Sequence, residues 1–529
     1  MTALTGAGAL VKPWSRRDRI MVPIWIYAIA GSVVSTAVSF KGLYGTPQSL
    51  RSFTTGIMDN GGALLLYGRV HAQSVGGLTA WRLGAIGAAL IAIMSVFIVV
   101  RHTRAEEETG RLELIGATAI GRQAPLAAAM VISAGASVVI AVVTAAGLVA
   151  VGLPVTGSVA FALGQVGAGL VFTSVAACAA QLTDSARSAR GIALTVTGLT
   201  FLVRGAGDAS GATWLAWLSP LGWVTQIRPY GQERWWVPGL LLALAAALAW
   251  VAFRLSERRD LGAGLFPARL GPATGTLRGP IGLAWRQHRG SLLGWTAGFA
   301  IYGAIIGGIA SGVGDLVGDS NGTRDLLAKL GGSNASLTDA FLSTVFGISA
   351  IIASAFAVQA ALRLRGEESG QRLEPILATG TARLPWALSH LMFAVLGTAA
   401  VLAALGLTSG FAYGLSTGDL TGQLPALLGA AIAQLPAALL LGGITVLLFG
   451  LAPRASAAIW GILAVCMLIS ELGEILKLPQ IIRDLSPFTH SPKLPGGDVS
   501  NTALITLTLT GMALLIAGLA GFRHRDING

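Results

Sequence analysis

The chain has 529 residues, 53% of them hydrophobic and only 11% charged, with a formal net charge of +12 and a mean hydropathy of +0.71. An ordinary globular chain is about 25% charged, so this composition excludes a soluble enzyme, a disordered protein and a disulfide scaffold. Cys178 and Cys466 each lie inside an apolar run, where a cysteine is a small buried hydrophobe. The class that remains is an all-α polytopic membrane protein. No small-residue cleavage site follows the first apolar run, so no cleavable signal peptide is expected.

A membrane-crossing helix needs about 20 apolar residues. Runs of that kind occur near 20–40, 80–100, 125–152, 157–181, 190–203 and 236–253. A second set follows near 291–313, 340–361, 385–413, 423–451, 456–472 and 501–522. The fifth run of each set is the shortest. Twelve spans put both termini on one side of the membrane. With the N-terminus placed inside, the inner segments hold 24 of the 36 basic residues, while the acidic residues divide 12 and 12. The positive-inside rule therefore predicts cytoplasmic termini. This distribution leaves no basic patch with interleaved aromatics, so nucleic acid is not an expected partner; the lipid bilayer is.

The chain repeats itself. Arg104–Glu113 and Arg365–Glu374 align without a gap at an offset of 261, and identities continue at Ile115/Ile376, Ala117/Ala378, Thr118/Thr379 and Arg122/Arg383. Leu218-Ser219-Pro220 matches Leu485-Ser486-Pro487, and Arg259-Asp260 matches Arg525-Asp526. Trp14 and Trp25 correspond loosely to Trp285 and Trp295. Several matches in one order imply duplication. The predicted organisation is a first six-span half at 1–254, a cytoplasmic joint at 255–284 and a second half at 285–529. Six spans per half make the repeats parallel, related by an axis along the membrane normal, with a substrate path expected between them.

Each half predicts the same layout. A basic amphipathic segment comes first (Lys12–Arg19; Arg286–Arg289), with Trp14 and Trp285 at headgroup level. A charged cytoplasmic helix lies between spans two and three, where Glu107/Arg111 and Glu368/Arg372 have the favourable spacing of four. A short inner turn links spans four and five (Thr183–Arg190; Ala452–Ala455). A Pro- and Trp-containing outer segment before span six, with Trp214, Trp217, Trp223, Trp235 and Trp236, reads as a partly re-entrant cap with an interfacial aromatic belt.

The pattern Arg-x-Glu-Glu-x-x-Gly-Arg-Leu-Glu-x-Ile, followed by Ala-Thr and a basic residue, resembles the coupling-helix motif of ABC-2 type exporter permeases. The six-span half with an elbow helix and a broken segment before span six is also similar to that family. The duplicated form most resembles bacterial permeases for polyketide antibiotics, the tetronasin type. The second copy departs from the first at Gln371, in place of Gly110, and at Pro375, in place of Leu114. The resemblance implies a permease in the bacterial plasma membrane and a separate ABC ATPase dimer beneath it. Glu106, Glu107, Arg111 and Glu113 would dock on one ATPase subunit, and Glu367, Glu368, Arg372 and Glu374 on the other. Arg187, Arg190 and Arg454 would make secondary contacts. ATP and Mg would be bound on that partner: the chain has no Gly-Lys dipeptide, so no phosphate-cradling loop of the Walker type. ATP-driven alternating access would then export a hydrophobic or amphipathic compound.

Two other readings stay open. A proton-coupled drug transporter also has two parallel repeats, but would need an ionisable residue inside a span. The sequence places every Asp and Glu outside the span cores, with Glu471 at an outer end; Arg82 and His390 fall near span ends. A lipid exporter is the alternative within the same class. A membrane enzyme would want paired carboxylates or a metal-ligand cluster, and neither Asp59 with His71 nor Asp315, Asp319, Asp325 and Asp339 has such spacing. The amides Gln165, Gln181, Gln359 and Gln434 fit helix–helix hydrogen bonds. Gly308 and Gly312 have the spacing of close helix packing. Family geometry would line the cargo path with spans one, two and five, which makes Trp25, Met94, Phe97, Phe201, Trp295, Phe356 and Met467 the candidates.

Overall fold

The computed structural model describes residues 2–44, 47–58, 61–260, 262–266, 279–312, 337–472 and 478–526. Asp59, Asp315, Asp319 and Asp325, and residues 261 and 267–278 of the expected joint, lie outside the described residues. Among the described residues there are helices and turns and no strand. A bilayer offers no water to backbone groups, so a spanning segment must satisfy them within itself, as a helix does. Eleven helical stretches are long and apolar enough to cross a bilayer, so the chain is a multi-pass membrane protein. They coincide with eleven of the twelve expected spans.

The twelfth expected span, 190–203, is not among the eleven. It is the middle of a longer helix, Ala186–Ser210, which carries Arg187, Arg190, Arg204 and Asp208 and is too polar to belong to that set. The chain divides into two compact units, Met1–Gly271 and Pro272–Gly529, and the boundary falls inside the expected joint.

Unit 1 runs through α1 (Ala7–Arg17), α2 (Met21–Leu43), α3 (Pro47–Met58), α4 (Gly61–Tyr67), α5 (Val75–His102), α6 (Arg104–Glu108) and α7 (Arg111–Gly116). It continues with α8 (Ala124–Ala150), α9 (Val155–Leu182), α10 (Ala186–Ser210), α11 (Thr213–Trp217), α12 (Pro220–Gln226) and α13 (Val237–Glu257). α9 is its axis, packed by α5, α8 and α13. The starts are written in the sequence as serine caps. The hydroxyls of Ser74, Ser185 and Ser219 accept from the backbone N–H groups of Gly77, Ser188 and Gly222 at 3.0, 3.1 and 3.2 Å. α11 and α12 are two short helices in the stretch expected as a re-entrant cap. Trp217 stacks on Trp236 with ring centroids 5.5 Å apart, and the Trp223 indole donates to the Trp217 carbonyl at 2.7 Å.

The amphipathic segment of unit 1 differs from expectation. Trp14 is buried in the protein rather than open to lipid, and stacks on His102 with centroids 4.8 Å apart. The cause is Asp18: its carboxylate faces His102 Nε2 at 2.5 Å and lies 3.1 Å from the Arg101 guanidinium, which draws α1 onto the end of α5.

Unit 2 holds α14 (Gly279–Ala310), α15 (Leu337–Ala361), α16 (Arg363–Ser369), α17 (Leu373–Ala378), α18 (Arg383–Thr417), α19 (Leu420–Ile432) and α20 (Leu435–Leu451). A 3-10 turn at Pro453–Ala458 leads to α21 (Ile459–Leu472) and α22 (Gln480–Arg483). After a second 3-10 turn at Pro487–His490, α23 (Asn501–His524) closes the unit. Arg286–Arg289 belong to the first turns of the 32-residue α14 and form no separate elbow. α14 lies along α18, and Gly303 and Gly307 make the close approach, because a Cβ there would strike the carbonyls of Leu405 and Ser409. This small-residue contact uses Gly303 and Gly307, one turn apart.

Candidate functional site

The repeated acidic motif folds in each unit as a two-turn hairpin at the end of a long helix: α6 and α7 after α5, α16 and α17 after α15. The 104–122 stretch is thus not one helix. The break comes at Gly110, with φ +70°, and the matching residue Gln371 takes φ +54°. The two positions differ in residue type yet share a left-handed backbone. An L residue there costs about 1–2 kcal/mol. Gln371→Gly is therefore expected to raise the melting temperature by roughly 2–4 °C, read by thermal unfolding in detergent. A decrease would show that the Gln371 side chain holds the hairpin.

The break also changes the pairing. The expected Glu107–Arg111 and Glu368–Arg372 pairs do not form, since the chain leaves the helix between the partners. Arg111 instead lies 3.7 Å from Glu106, and Arg372 donates to Glu367 at 3.0 Å. The partners shift by one residue in both units alike.

Glu107 and Glu368 turn inward to arginines that arrive from far along the chain. Arg259 donates to both oxygens of Glu107 at 2.6 and 2.9 Å, and the fully buried Arg104 adds a third bond at 2.6 Å. Arg525 donates to both oxygens of Glu368 at 2.6 and 2.7 Å. These are bidentate pairs, the strongest geometry an ion pair takes. Arg122 then donates to the carbonyl of Arg259, and Arg383 to that of Arg525 at 2.8 Å. The repeated Arg-Asp dipeptide thus closes each hairpin against its own bundle. Its repetition was visible in the sequence; its glutamate partner was not.

Of the eight expected docking residues, Glu106, Glu367 and Glu368 are buried and Glu107 nearly so, all engaged by the chain's own arginines. Arg17 donates to Glu106, and Arg363 lies 3.1 Å from Glu367. Arg111, Glu113, Arg372 and Glu374 are exposed, as is Leu114 at 75%. Glu108 accepts from the backbone N–H of Ala186 at 2.7 Å and so ties the first hairpin to the start of α10. Arg187 and Arg454 are exposed; Arg190 is half-buried, its guanidinium 6.0 Å from the centre of the Phe97 ring. Among the described residues no group of three or more His, Cys, Asp or Glu is placed to hold a metal ion.

A family model described as "Multidrug efflux system permease Rv1217c, C-terminal domain" matches residues 64–255 and 277–523. The "Multidrug efflux system permease protein Rv1217c" of Mycobacterium tuberculosis (strain ATCC 25618 / H37Rv) is 42% identical over 529 residues, covering 99% of this chain and 96% of the relative. The chain belongs to this family of multidrug efflux permeases.

The permease's candidate cargo residues divide by burial. Met94 and Phe356 are fully buried core side chains and line no open path in this structure. Trp25 and Phe201 are half-buried, and Phe97 and Met467 are exposed. Trp295 lines an apolar groove of about 570 Å³ with Phe299, Tyr302 and the open glycine edge of α14. Its indole donates to Gln359 Oε1 at 3.1 Å, and Gln359 donates to Ser291 at 3.3 Å.

The sequence missed one charged pair of the permease. Arg204 in α10 is fully buried; it donates to Asp208 at 3.2 Å and to the carbonyls of Leu65 and Leu66 at 2.8 and 2.9 Å. The four-residue spacing was a usable signal, but the apolar run ends at 203, which put both residues outside the expected span.

Proposed function

We propose that the permease is the membrane subunit of an ATP-driven exporter of the ABC-2 kind, in the plasma membrane of a bacterium with both termini cytoplasmic. A separate ATPase dimer, holding ATP and Mg, docks on its two hairpins, and a hydrophobic or amphipathic compound, a drug or polyketide antibiotic, is moved out. The supporting observation is the duplicated hairpin. Each copy turns its central glutamate pair inward onto the bundle and leaves Arg111 with Glu113, or Arg372 with Glu374, on the outside. In this reading the buried glutamates transmit force to the spans and the exposed charges meet the ATPase. A charged rim of this type selects a partner through complementarity.

The test is affinity purification of the tagged permease from its native membrane, with ATPase activity assayed on what comes with it. Wild type is expected to bring a soluble ATPase, and Glu113→Arg/Glu374→Arg to lose it while keeping its melting temperature. A wild-type preparation without ATPase would sink the reading. Proton-coupled efflux would then take its place, with buried Asp208, the carboxylate inside a long helix, as the group to replace.

A further inference from the structure

α5 is 28 residues long, about 42 Å at 1.5 Å per residue, so the strap just before it lies at the end of unit 1 away from the hairpin. There the strap 68–74 meets a second strap, 227–236, between α12 and α13. The second strap is tightly held. Arg234 N–H donates to the carbonyl of Ile227 at 2.9 Å, and the Tyr230 ring fills the space beside Gly76 and Gly157, with its hydroxyl 2.9 Å from that of Ser158. Arg228 and Tyr230, on either side of Pro229, have φ of +57° and +63°. Non-glycine residues keep that conformation only where their surroundings enforce it, and such strain gathers at functional sites.

The straps bring Arg69, Arg228 and Arg234 around His71. Burial and these three arginines push the His71 imidazole down to about 4, and no carboxylate acts on it in the other direction. Arg228 Nε is buried without a hydrogen-bond partner. At this end of unit 1 the described residues include seven basic ones, Lys41, Arg51, Arg69, Arg82, Arg204, Arg228 and Arg234, against two acidic ones, Asp208 and Glu233. Asp208 is already engaged by Arg204. Trp235 follows Arg234 directly, and Trp214, Trp235 and Trp236 are half or more exposed. Exposed tryptophans mark the depth of lipid headgroups, so the arginines stand at the depth of lipid phosphates.

We propose that this end of unit 1 binds the phosphate of an anionic phospholipid headgroup through Arg69, Arg228 and Arg234. The cavity beneath, lined by Arg69, His71, Tyr67 and Pro229, is about 20 Å³, room for one water. The phosphate therefore rests on its rim and the acyl chains lie along the tryptophans. Arginine suits this role because its planar donors match phosphate oxygens in pairs.

The experiment uses the full-length permease, stripped of lipid in a neutral detergent. Retained lipid is counted by native mass spectrometry during titration with phosphatidylglycerol, phosphatidylcholine or inorganic phosphate. Phosphatidylglycerol is expected to bind at least tenfold more tightly than phosphatidylcholine. Arg228→Gln/Arg234→Gln should weaken it about 30-fold, and Arg228→Lys/Arg234→Lys should restore only part of the loss, since charge returns without the paired donors. Equal binding of the two lipids, or unchanged binding in the glutamine variant, overturns the proposal. Competition by millimolar inorganic phosphate as effective as that by the lipid also overturns it, in favour of a free-anion site. If the double variant does not fold, Arg234→Gln alone carries the test with a loss of about fivefold, since its guanidinium donates only to Gln226, at 3.4 Å, among the bonds described.

Discussion

Glu107→Ala is expected to destabilise unit 1 by about 3–5 kcal/mol, the cost of leaving buried charge without its partner. Arg104 has no solvent exposure and the Arg259 side chain is 9% exposed, so neither guanidinium can turn to water when the carboxylate is lost. A loss of that size lowers the melting temperature by roughly 6–20 °C. Glu368→Ala should act likewise in unit 2 through Arg525, with a smaller effect because Arg525 is 16% exposed. Pairing Glu107→Ala with Arg259→Ala should recover part of the loss, since only Arg104 then stays uncompensated. A shift below about 2 °C in the single variant would show that water reaches the pair and that the inward glutamate holds nothing. Under the proposed function the same variant separates two roles of the hairpin: a permease that still brings down an ATPase but transports less would have lost transmission rather than docking.

The second large effect is expected at Arg204. Arg204→Leu removes the donor to Asp208 and to the carbonyls of Leu65 and Leu66, and strands a carboxylate inside α10. The expected cost is about 3–5 kcal/mol. Arg204→Leu/Asp208→Leu should regain roughly half of it, because the charge is gone while two carbonyls still lack donors. Thermal unfolding of the three variants gives the cycle. Full recovery in the double variant would show that α4 gains nothing from the guanidinium; no recovery would show that the carbonyl bonds carry the whole effect.

What could be read from the sequence follows from the length scale of each signal. Spanning helices average over twenty residues, and the runs at 125–152 and 157–181 coincide closely with α8 and α9. The duplicated motif needed only identity at a fixed offset, so both hairpins were located. Their partners were not. The spacing Glu107–Arg111 assumes a continuous helix, and one left-handed residue at Gly110 cancels that assumption. Arg259 lies 152 positions from Glu107, a separation at which no local rule operates. α10 shows the converse error: hydropathy truncates a helix where Arg204 and Asp208 satisfy one another inside it. Trp14 was assigned by habit of residue type, and Asp18, a single carboxylate four positions on, moved it into the core. α4 belongs to no element expected from the sequence, because its seven residues leave too short a period to detect.

The arginine that closes each hairpin has a further consequence, in the order of synthesis. Arg259 is made 152 residues after Glu107, and Arg525 157 residues after Glu368. At about 5–20 residues per second, each glutamate waits some 8–30 s with only the arginine three positions before it, Arg104 or Arg365, as a partner, until the last long helix of its own unit has been made. Each half thus completes its charge pairing only on its last helix, and a ribosome that stalls within either half leaves a hairpin still open. Such an intermediate carries a recognisable defect, an acidic turn lacking its distant arginine beside an inserted bundle, on which cellular surveillance of incomplete membrane proteins could act.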